Sequence, residues 1–278
     1  MSRIVVSLTT IPSRLKHIEP TIKCLTKQSY TPNKIYLNIP YKTKTGKPYH
    51  IPTNFLSNIV RKDLITINRC NDYGPITKLL PTLDVETDPD TIIILVDDDE
   101  KIHRDVVKIL VQKSQKYPNN ALSFSGRSIG FFPLYLYNIF ENKDDEKVDW
   151  IEGSSSILLK KKFIDKQELL NFDLLKIIPD LKNQDDHWIS SYLETKHINR
   201  ISINYSKYDY FTPFPISNLD AIHTSQGTLL GTLKFSYTVW NIATRLHNLG
   251  IYTHTHHIKY SVSFKIFVCI FILIKILF

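Results

Sequence analysis

The sequence has few cysteines and lacks the glycine-rich loops that hold phosphates in two large classes of nucleotide-binding protein. Its 278 residues include only three cysteines, Cys24, Cys70 and Cys269, and none has CxxC or CxxH spacing. This argues against a disulfide framework and a zinc ribbon, and it fits a reducing compartment. Neither GxGxxG after the first strand nor GxxxxGK[ST] occurs, which counts against a dinucleotide-binding Rossmann domain and a P-loop NTPase.

The sequence also lacks a secretory leader, an internal repeat and a low-complexity linker. Hydrophobic residues make up 42% and charged residues 22%, as in globular proteins, which argues against disorder and a fibrous repeat. The net charge of +8 favours anionic partners such as nucleotides, phosphorylated substrates or an acidic membrane surface. We expect no nucleic-acid partner.

The C-terminal residues 261–278 are almost wholly apolar, with only Lys265 and Lys275 interrupting them. A membrane-crossing helix needs about 20 apolar residues, and lysines near its ends can reach the headgroups. We therefore expect a C-terminal apolar helix that anchors the chain to the cytoplasmic face of a membrane, and a cytoplasmic protein otherwise. A buried terminal helix or a strand pair is the alternative.

Strand and helix signals alternate along the first hundred residues. The β-branched or apolar runs at residues 4–8, 34–39, 64–67 and 91–96 predict strands, and helical spacing of apolar residues lies between them. This order predicts an α/β fold with an open, mostly parallel sheet flanked by helices. We divide the chain into a catalytic domain (1–210, with halves 1–117 and 118–210), an extension (211–260) and the apolar tail (261–278).

An acidic triplet, Asp97-Asp98-Asp99, directly follows the last of these strands. In an extended chain alternate side chains share a face, so we expect Asp97 and Asp99 to point one way and Asp98 the other. Two carboxylates at the carboxyl end of a buried strand suit a hard divalent cation, and open α/β sheets bind ligands at that edge. The alternative is that Asp99 caps a helix that begins near Glu100.

The triplet in this setting resembles the DxD motif of GT-A-fold glycosyltransferases, which bind a nucleotide-sugar through a divalent metal. Four further stretches agree in order along residues 1–205: VVSLTTIPSR from Val5, NDYGPITK from Asn71, WIEG from Trp150 and NQDDHW from Asn183. The resemblance implies a GT-A, Rossmann-like fold similar to that of glycosyltransferase family 2.

By this resemblance the donor would be a nucleotide-sugar and the cofactor Mn²⁺ or Mg²⁺. Asp99 would coordinate the metal, and Asp97 would share it or contact the ribose. His223 would supply a further metal ligand, with His254 or His256 as the alternative. The other nucleotide-sugar ligands would be Thr9, Thr10, Pro12, Arg14, Asp72, Lys78, Asp97, Asp98 and Gly153. For Arg14 and Lys78, solvated positions on a helix are the alternative.

Asp186 is the candidate general base. It lies in Asp185-Asp186-His187-Trp188, at the predicted start of a helix over residues 185–194. Transfer with inversion needs a base that takes the proton from an acceptor hydroxyl as it attacks the anomeric carbon, and Asp185 could raise the pKa of that base. The alternative is an acidic pair that interacts with the helix dipole. The acceptor could be a carbohydrate, a lipid or a protein.

Two other functions remain open. A metal-dependent sugar nucleotidyltransferase can use a similar sheet and paired aspartates, but it usually carries a glycine-rich basic loop after the first strand. Here that loop, residues 9–14, contains no glycine. An inactive, membrane-tethered binding module of the same fold is the third possibility, and the intact aspartates speak against it.

Overall fold

The computed structural model describes residues 2–128, 145–203, 211–214 and 229–253, and its central element is an eight-stranded sheet. Within these residues the strands are β1 (Ile4–Thr9), β2 (Lys34–Pro40), β3 (Ile65–Cys70), β4 (Ile92–Leu95), β5 (Glu100–Ile102), β6 (Ala121–Ser123), β7 (Gly126–Arg127), β8 (Glu146–Val148), β9 (Trp150–Ile151), β10 (Ile157–Lys160), β11 (Arg200–Ser202) and β12 (Phe211–Pro213). The main sheet has the order β3-β2-β1-β4-β10-β6-β11-β8. The short pairs β5–β12 and β7–β9 lie outside it.

Parallel pairing dominates the N-terminal half of this sheet. Strand β1 lies between β2 and β4 and is parallel to both, and β2 is parallel to β3. Strand β10 runs antiparallel between β4 and β6, β11 is parallel to β6, and β8 is antiparallel to β11. The prediction of an open, mostly parallel α/β sheet is confirmed.

Helices cover both faces of the sheet. In the described residues they are α1 (Glu19–Thr26), α2 (Leu80–Val85), α3 (Val106–Lys116), α4 (Lys166–Leu170), α5 (Leu174–Ile177), α6 (Asp185–Thr195) and α7 (Leu229–Asn248). Successive side chains of a strand face opposite sides. Ile93 and Leu95 of β4 accordingly join one core with residues of α2 and α6, whereas Ile92 and Ile94 join a second core with residues of α1 and α3. The central strands are buried on both faces for this reason, and they appear in the sequence as unbroken apolar runs.

The segment after the acidic triplet differs from the helix considered in the sequence. Residues Glu100–Ile102 form β5, which pairs antiparallel with β12, and α3 begins only at Val106. Asp99 therefore caps no helix. No local pattern indicates this pairing because the partner strand lies more than a hundred residues away.

The C-terminal part of the described chain packs against α6. Helix α7 spans 20 residues, and its last turns bury Ile242, Ala243 and Leu246 in the core that contains α6. Among the described residues, none of the helices combines the length and the apolar character that a membrane crossing requires. The apolar tail at residues 261–278, together with His223, His254 and His256, lies outside the described residues.

Candidate functional site

A cleft of about 400 Å³ opens at the carboxyl ends of β1 and β4. Its walls come from the loop after β1, the hairpin at residues 41–49, the 3₁₀ helix Gly74–Lys78, the segment after β4 and the start of α6. These elements contribute Thr9, Thr10, Ile11, Arg14, Thr43, Tyr49, Asp72, Gly74, Pro75, Lys78, Val96, Asp97, Asp98, Asp99, Asn183, Gln184, Asp185 and Asp186. Most of the predicted site residues thus converge on one cleft.

Arg14 ties the loop after β1 to the acidic triplet. Its Nη1 donates to Asp98 Oδ1 at 2.8 Å and to Asp99 Oδ2 at 2.9 Å. Thr10 Oγ1 donates to the other oxygen of Asp98 at 2.5 Å, and Thr21 Oγ1 donates to the main-chain carbonyl of Asp98 at 2.7 Å. The guanidinium is buried, so the alternative of a solvated arginine is wrong. Burial raises the pKa of Asp98 to about 6, although Arg14 and Thr10 act in the opposite direction.

The three aspartates do not follow the alternation of an extended strand. Strand β4 ends at Leu95, and Asp98 and Asp99 lie in a turn. Because of that turn, Asp98 and Asp99 reach the same guanidinium, whereas Asp97 Oδ1 lies 2.5 Å from the ammonium of Lys78. The expectation that Asp98 would point away from Asp97 and Asp99 is wrong, because it assumed an extended chain and the strand ends before the triplet.

Lys78 links the triplet to the start of α6. Its Nζ lies 2.5 Å from Asp97 Oδ1 and 3.0 Å from Asp185 Oδ2. The side chain is 7% exposed, so it is not the solvated lysine that the sequence left open. Burial alone would lower the pKa of Lys78, but Asp185, Asp97 and Asp186 outweigh it and hold the pKa well above its ordinary value. The ammonium therefore stays charged between the two acidic segments.

A buried polar network holds the backbone of Lys78 against the sheet. Ser7 Oγ on β1 donates to the carbonyl of Lys78 at 2.5 Å and lies 2.6 Å from Thr82 Oγ1. Asn38 Nδ2 on β2 donates to Ser7 Oγ at 3.0 Å and to Thr82 Oγ1 at 3.1 Å. These polar groups interrupt otherwise apolar strands, and each has a hydrogen-bond partner. The network therefore fixes the main-chain position from which the side chain of Lys78 extends.

The acidic segment beside the cleft supplies oxygen ligands, the type that hard divalent cations prefer. Asp97, Asp98, Asp99 and Glu100 are all oxygen donors, and burial, followed by Asp99 and Asp97, raises the pKa of Glu100 to about 8. Its Oε2 is buried without a hydrogen-bond partner in the described part of the chain. No group of three or more His, Cys, Asp or Glu side chains in these residues is arranged to hold a metal. Mg²⁺ commonly uses one or two carboxylates together with substrate phosphates, which is compatible with this arrangement.

Asp186 is held by the turn that contains Gly153. It lies in the first turn of α6, which begins at Asp185 as expected, and its Oδ1 accepts a hydrogen bond from the main-chain N–H of Gly153 at 2.8 Å. Burial, and next the charge of Asp185, raise the pKa of Asp186 well above its ordinary value, although Lys78 opposes them. A carboxyl with a raised pKa that lines a cleft is a candidate for proton exchange with a bound ligand.

The other predicted ligands have mixed positions. Both carboxyl oxygens of Asp72 accept backbone hydrogen bonds, Oδ1 from Gly74 at 2.7 Å and Oδ2 from Lys44 at 3.0 Å. Thr9 Oγ1 donates to the carbonyl of Asn38 at 2.8 Å. Pro12 and Gly153 do not line the cleft, although Gly153 contacts Asp186 behind it.

Sequence reasoning missed two residues of this site. Tyr49 is buried in the hairpin, lines the cleft and donates its hydroxyl to the carbonyl of Thr10 at 3.0 Å. Glu100 adds a fourth carboxyl to the acidic segment. The run of four acidic residues was visible in the sequence, whereas Tyr49 gave no signal because its role depends on a hairpin that folds back over the loop after β1.

No protein-family model and no curated protein matches this sequence. Among solved structures it resembles the crystal structure of TarS from S. aureus, with a TM-score of 0.49 and 14% identity over 89% of this chain and 40% of that chain. For the crystal structure of TarS 1-349 in complex with UDP-GlcNAc, the TM-score is 0.49 and the identity 13%, over 89% of this chain and 72% of that chain. For the crystal structure of TarS 1-349 in complex with UDP, the TM-score is 0.45 and the identity 13%, over 75% of this chain and 59% of that chain. This chain therefore spans less than half the length of the TarS chain of the first structure.

Proposed function

We propose that the protein is a metal-dependent glycosyltransferase that moves a sugar from a nucleotide-sugar to an acceptor hydroxyl. The observation that carries this proposal is one cleft that contains both the acidic segment after β4 and Asp186, a carboxyl whose pKa is raised. Sugar transfer needs both parts: a place where a charged leaving group is stabilised, and a base within reach of the incoming hydroxyl.

The donor diphosphate would lie against the acidic segment, with Asp97 and Asp99 as ligands of Mn²⁺ or Mg²⁺ and His223 as a further ligand. When bound, the metal would offset the negative charge that grows on the diphosphate as the bond to the sugar breaks. Arg14 would keep Asp99 oriented toward the cleft through its contacts with Asp98 and Asp99. Lys78 would contribute positive charge close to Asp97.

The nucleoside would lie along the part of the cleft formed by the loop after β1 and the loop before Gly74. Thr9 and Thr10 would frame it from the loop after β1, and Asp72 would face it from the loop before Gly74. Because the oxygens of Asp72 already accept backbone hydrogen bonds, this residue would shape the pocket as well as accept hydrogen bonds from the ribose or base. Asp98 would act mainly through Thr10 and Arg14.

In the transfer step, Asp186 would accept the proton of the acceptor hydroxyl. The acceptor oxygen would form a bond to the anomeric carbon while the bond from that carbon to the phosphate oxygen breaks. The electron pair of the broken bond would leave with the nucleoside diphosphate. The N–H of Gly153 would hold the carboxyl of Asp186 in one orientation during this step.

A panel of nucleotide-sugars tests the function. The purified full chain is incubated with each donor and Mn²⁺, and release of nucleoside diphosphate is followed, with Asp186→Asn as the inactive control. Release that depends on the donor and on Asp186 supports a glycosyltransferase. Pyrophosphate formed from a nucleoside triphosphate and a sugar phosphate would instead identify a nucleotidyltransferase, and donor binding without turnover would identify a binding module.

The acceptor would be a carbohydrate, a lipid or a protein, and we propose that the chain works at the cytoplasmic face of a membrane through its apolar tail. This placement is tested by fractionation of the full chain at low and high salt. Recovery with membranes at both salt concentrations supports an anchor, and recovery in the soluble fraction at both contradicts it.

A further inference from the structure

Three aromatic rings form a buried cluster behind the candidate base. Trp150, His187 and Tyr252, here called the aromatic cluster, have exposures of 6%, 1% and 0%. The ring of Trp150 lies 4.8 Å from that of His187 and stacks on that of Tyr252, with 5.6 Å between centroids and 20° between planes. The hydroxyl of Tyr252 lies 3.0 Å from His187 Nδ1. The cluster thus joins β9, α6 and the segment after α7.

The end of α7 delivers Tyr252 to this position. Gly250 has φ +72°, a conformation that glycine adopts easily, and it ends the helix with a hydrogen bond from its N–H to the carbonyl of His247 at 2.8 Å. The N–H of Ile251 then donates to the carbonyl of Leu246 at 2.9 Å. One residue beyond Tyr252, the N–H of Thr253 donates to a carboxyl oxygen of Asp149 at 3.0 Å. The tyrosine is therefore held from both sides.

Two of the elements that the aromatic cluster joins, β9 and α6, also hold the base. Besides the contact of Trp150 with His187, the N–H of Ile151 donates to Ser190 Oγ at 3.2 Å, and the N–H of Gly153 donates to Asp186 Oδ1 at 2.8 Å. The strand β9 and the turn after it are thus attached to α6 at three successive points. The last of these points is the carboxyl of Asp186, so a shift of β9 relative to α6 would reorient it.

We propose that Tyr252 is a positioning residue for the transfer reaction, which orients Asp186 through His187 and Trp150. This inference rests on the proposed function, because it assigns a role to the same base. It also makes the segment that follows α7 a working part of the catalytic unit. Tyr252 does not itself touch the cleft, so it is not a catalytic residue.

The hydroxyl of Tyr252 is the group that a purely apolar role would not need, since phenylalanine would fill the same space. Burial lowers the pKa of His187 to about 3, so its ring is neutral at neutral pH and can exchange a hydrogen bond with the hydroxyl. A buried hydroxyl that bonds a ring next to the base, and nothing in the solvent, is suited to fix an orientation.

The test compares Tyr252→Phe with Tyr192→Phe in the full chain. Tyr192 is an equally buried tyrosine of α6, but its hydroxyl donates to Glu168 Oε2 at 3.0 Å, away from the base. We expect Tyr252→Phe to lower kcat about tenfold and to leave the Kd for the nucleotide-sugar within about twofold. We expect Tyr192→Phe to change neither, even where both variants lose similar thermal stability.

A double-variant cycle identifies the route. If the hydroxyl acts through His187, Tyr252→Phe should lower kcat little further in a His187→Leu background than it does in the wild type. An unchanged kcat in Tyr252→Phe, or an equal loss of kcat in Tyr192→Phe, overturns the inference about Tyr252. The proposed function stands in either case as long as the wild-type chain turns over a nucleotide-sugar. A wild-type chain without turnover on any donor would instead reject the function on which the inference rests.

Discussion

Because Gly153 has no Cβ, the side chains of Asp186 and Lys78 can both lie close to its backbone. A Cβ built on Gly153 would lie 2.9 Å from Asp186 Oδ1 and 3.0 Å from Lys78 Nζ, which is closer than side chains normally come. The conformation of Gly153 itself is ordinary, so the requirement is for space. The resemblance implied Gly153 as a ligand of the nucleotide-sugar, whereas the contacts show that the carboxyl of Asp186 occupies the space beside it.

Gly153→Ala should therefore damage activity more than stability. We expect kcat to fall at least about tenfold, because the methyl group displaces the carboxyl that the N–H of Gly153 now holds. Gly46→Ala is the matched control: Gly46 has φ +88° and no atoms near its Cβ position, so alanine there strains the hairpin without touching the base. Circular dichroism melting and nucleotide release measure the two effects. Equal kcat in the two variants would contradict the assignment.

Asp186→Asn should separate donor binding from transfer. In the proposed mechanism Asp186 acts on the proton of the acceptor, so we expect the Kd of the nucleotide-sugar to change little and kcat to fall by about 10²–10⁴-fold. Calorimetry gives the first quantity and nucleotide release the second. Asp180→Asn, an exposed aspartate in the 3₁₀ helix before α6, serves as control. Transfer at the wild-type rate in Asp186→Asn would remove this residue from the reaction.

Asp99→Asn should affect the metal and the donor together. Loss of an anionic oxygen weakens a hard-cation site, so we expect Mn²⁺-dependent binding of the nucleotide-sugar to disappear while the fold persists. The neutral amide can still accept a hydrogen bond from Arg14, which makes the substitution a mild one for the structure. Calorimetry at saturating Mn²⁺ is the measurement, and an affinity equal to that of the wild type would exclude Asp99 as a ligand.

At the scale of the element, the turn between β9 and β10 contains a strained residue. Ser156 has φ +62° and ψ 135°, a region that L-residues rarely adopt. Its side chain is buried, and its hydroxyl has no hydrogen-bond partner in the part of the chain that the structure describes. Strain of this kind usually persists where the surroundings enforce it, and here it lies three residues from Gly153.

Ser156→Gly should stabilise the protein. Glycine adopts positive φ without strain and removes the buried hydroxyl, and these gains should exceed its larger entropy in the unfolded chain by about 1 kcal/mol. The free energy of unfolding in urea is the measurement. Ser154→Gly, at an exposed position of the same turn, should stabilise nothing. A destabilised Ser156→Gly variant would show that the turn is not strained at this position.

Parts of the cleft could be predicted because its residues follow strands that the sequence predicts to be parallel. Parallel strands bring their carboxyl ends to one edge, so the loop of Arg14 after β1 and the triplet after β4 had to lie close together. The start of α6 was visible in the acidic pair Asp185-Asp186, and its position beside Lys78 follows once the helix packs on the sheet. Local patterns sufficed for these parts.

Other parts of the fold depend on partners far along the chain. The apolar segment 55–60 forms turns and no helix, with Leu56 at φ +62°. The segment Glu100–Ile102 became a strand because Phe211–Pro213 pairs with it. The turn at Asp98 and Asp99 depends on contacts with Arg14, 84 and 85 residues away. No window of the sequence contains both members of these pairs, so periodicity could not reveal them.

At the scale of the whole molecule, a buried histidine makes stability depend on pH. Burial lowers the pKa of His187 from 6.5 to about 3, and the charge of Arg127 adds a smaller effect in the same direction. The unfolded chain gains a proton at this residue below about pH 6.5, whereas the folded chain does not. The contribution of His187 is therefore complete above that pH and is lost as the pH falls, by about 1.4 kcal/mol per unit, until about pH 3.

His187→Asn should flatten this dependence. We expect the difference in unfolding free energy between wild type and variant to shrink between pH 6.5 and pH 5 by about 2 kcal/mol, because only the wild type loses the histidine contribution. Urea titrations at several pH values measure it. His17→Asn, at an exposed position, should follow the wild type throughout. Parallel curves for wild type and His187→Asn would contradict a neutral buried imidazole.

Strand β1 is made first, yet its place in the sheet depends on segments made much later. Its neighbour β4 begins 88 residues after it, and β4 in turn pairs with β10, which begins at Ile157. Translation proceeds at about 5–20 residues per second, so on the order of ten seconds passes before the central strands are complete. During that time the apolar strands β1 and β4 have exposed edges. Synthesis in the cell should therefore need a chaperone that shields nascent strands, and rapid dilution from denaturant should favour aggregation over refolding.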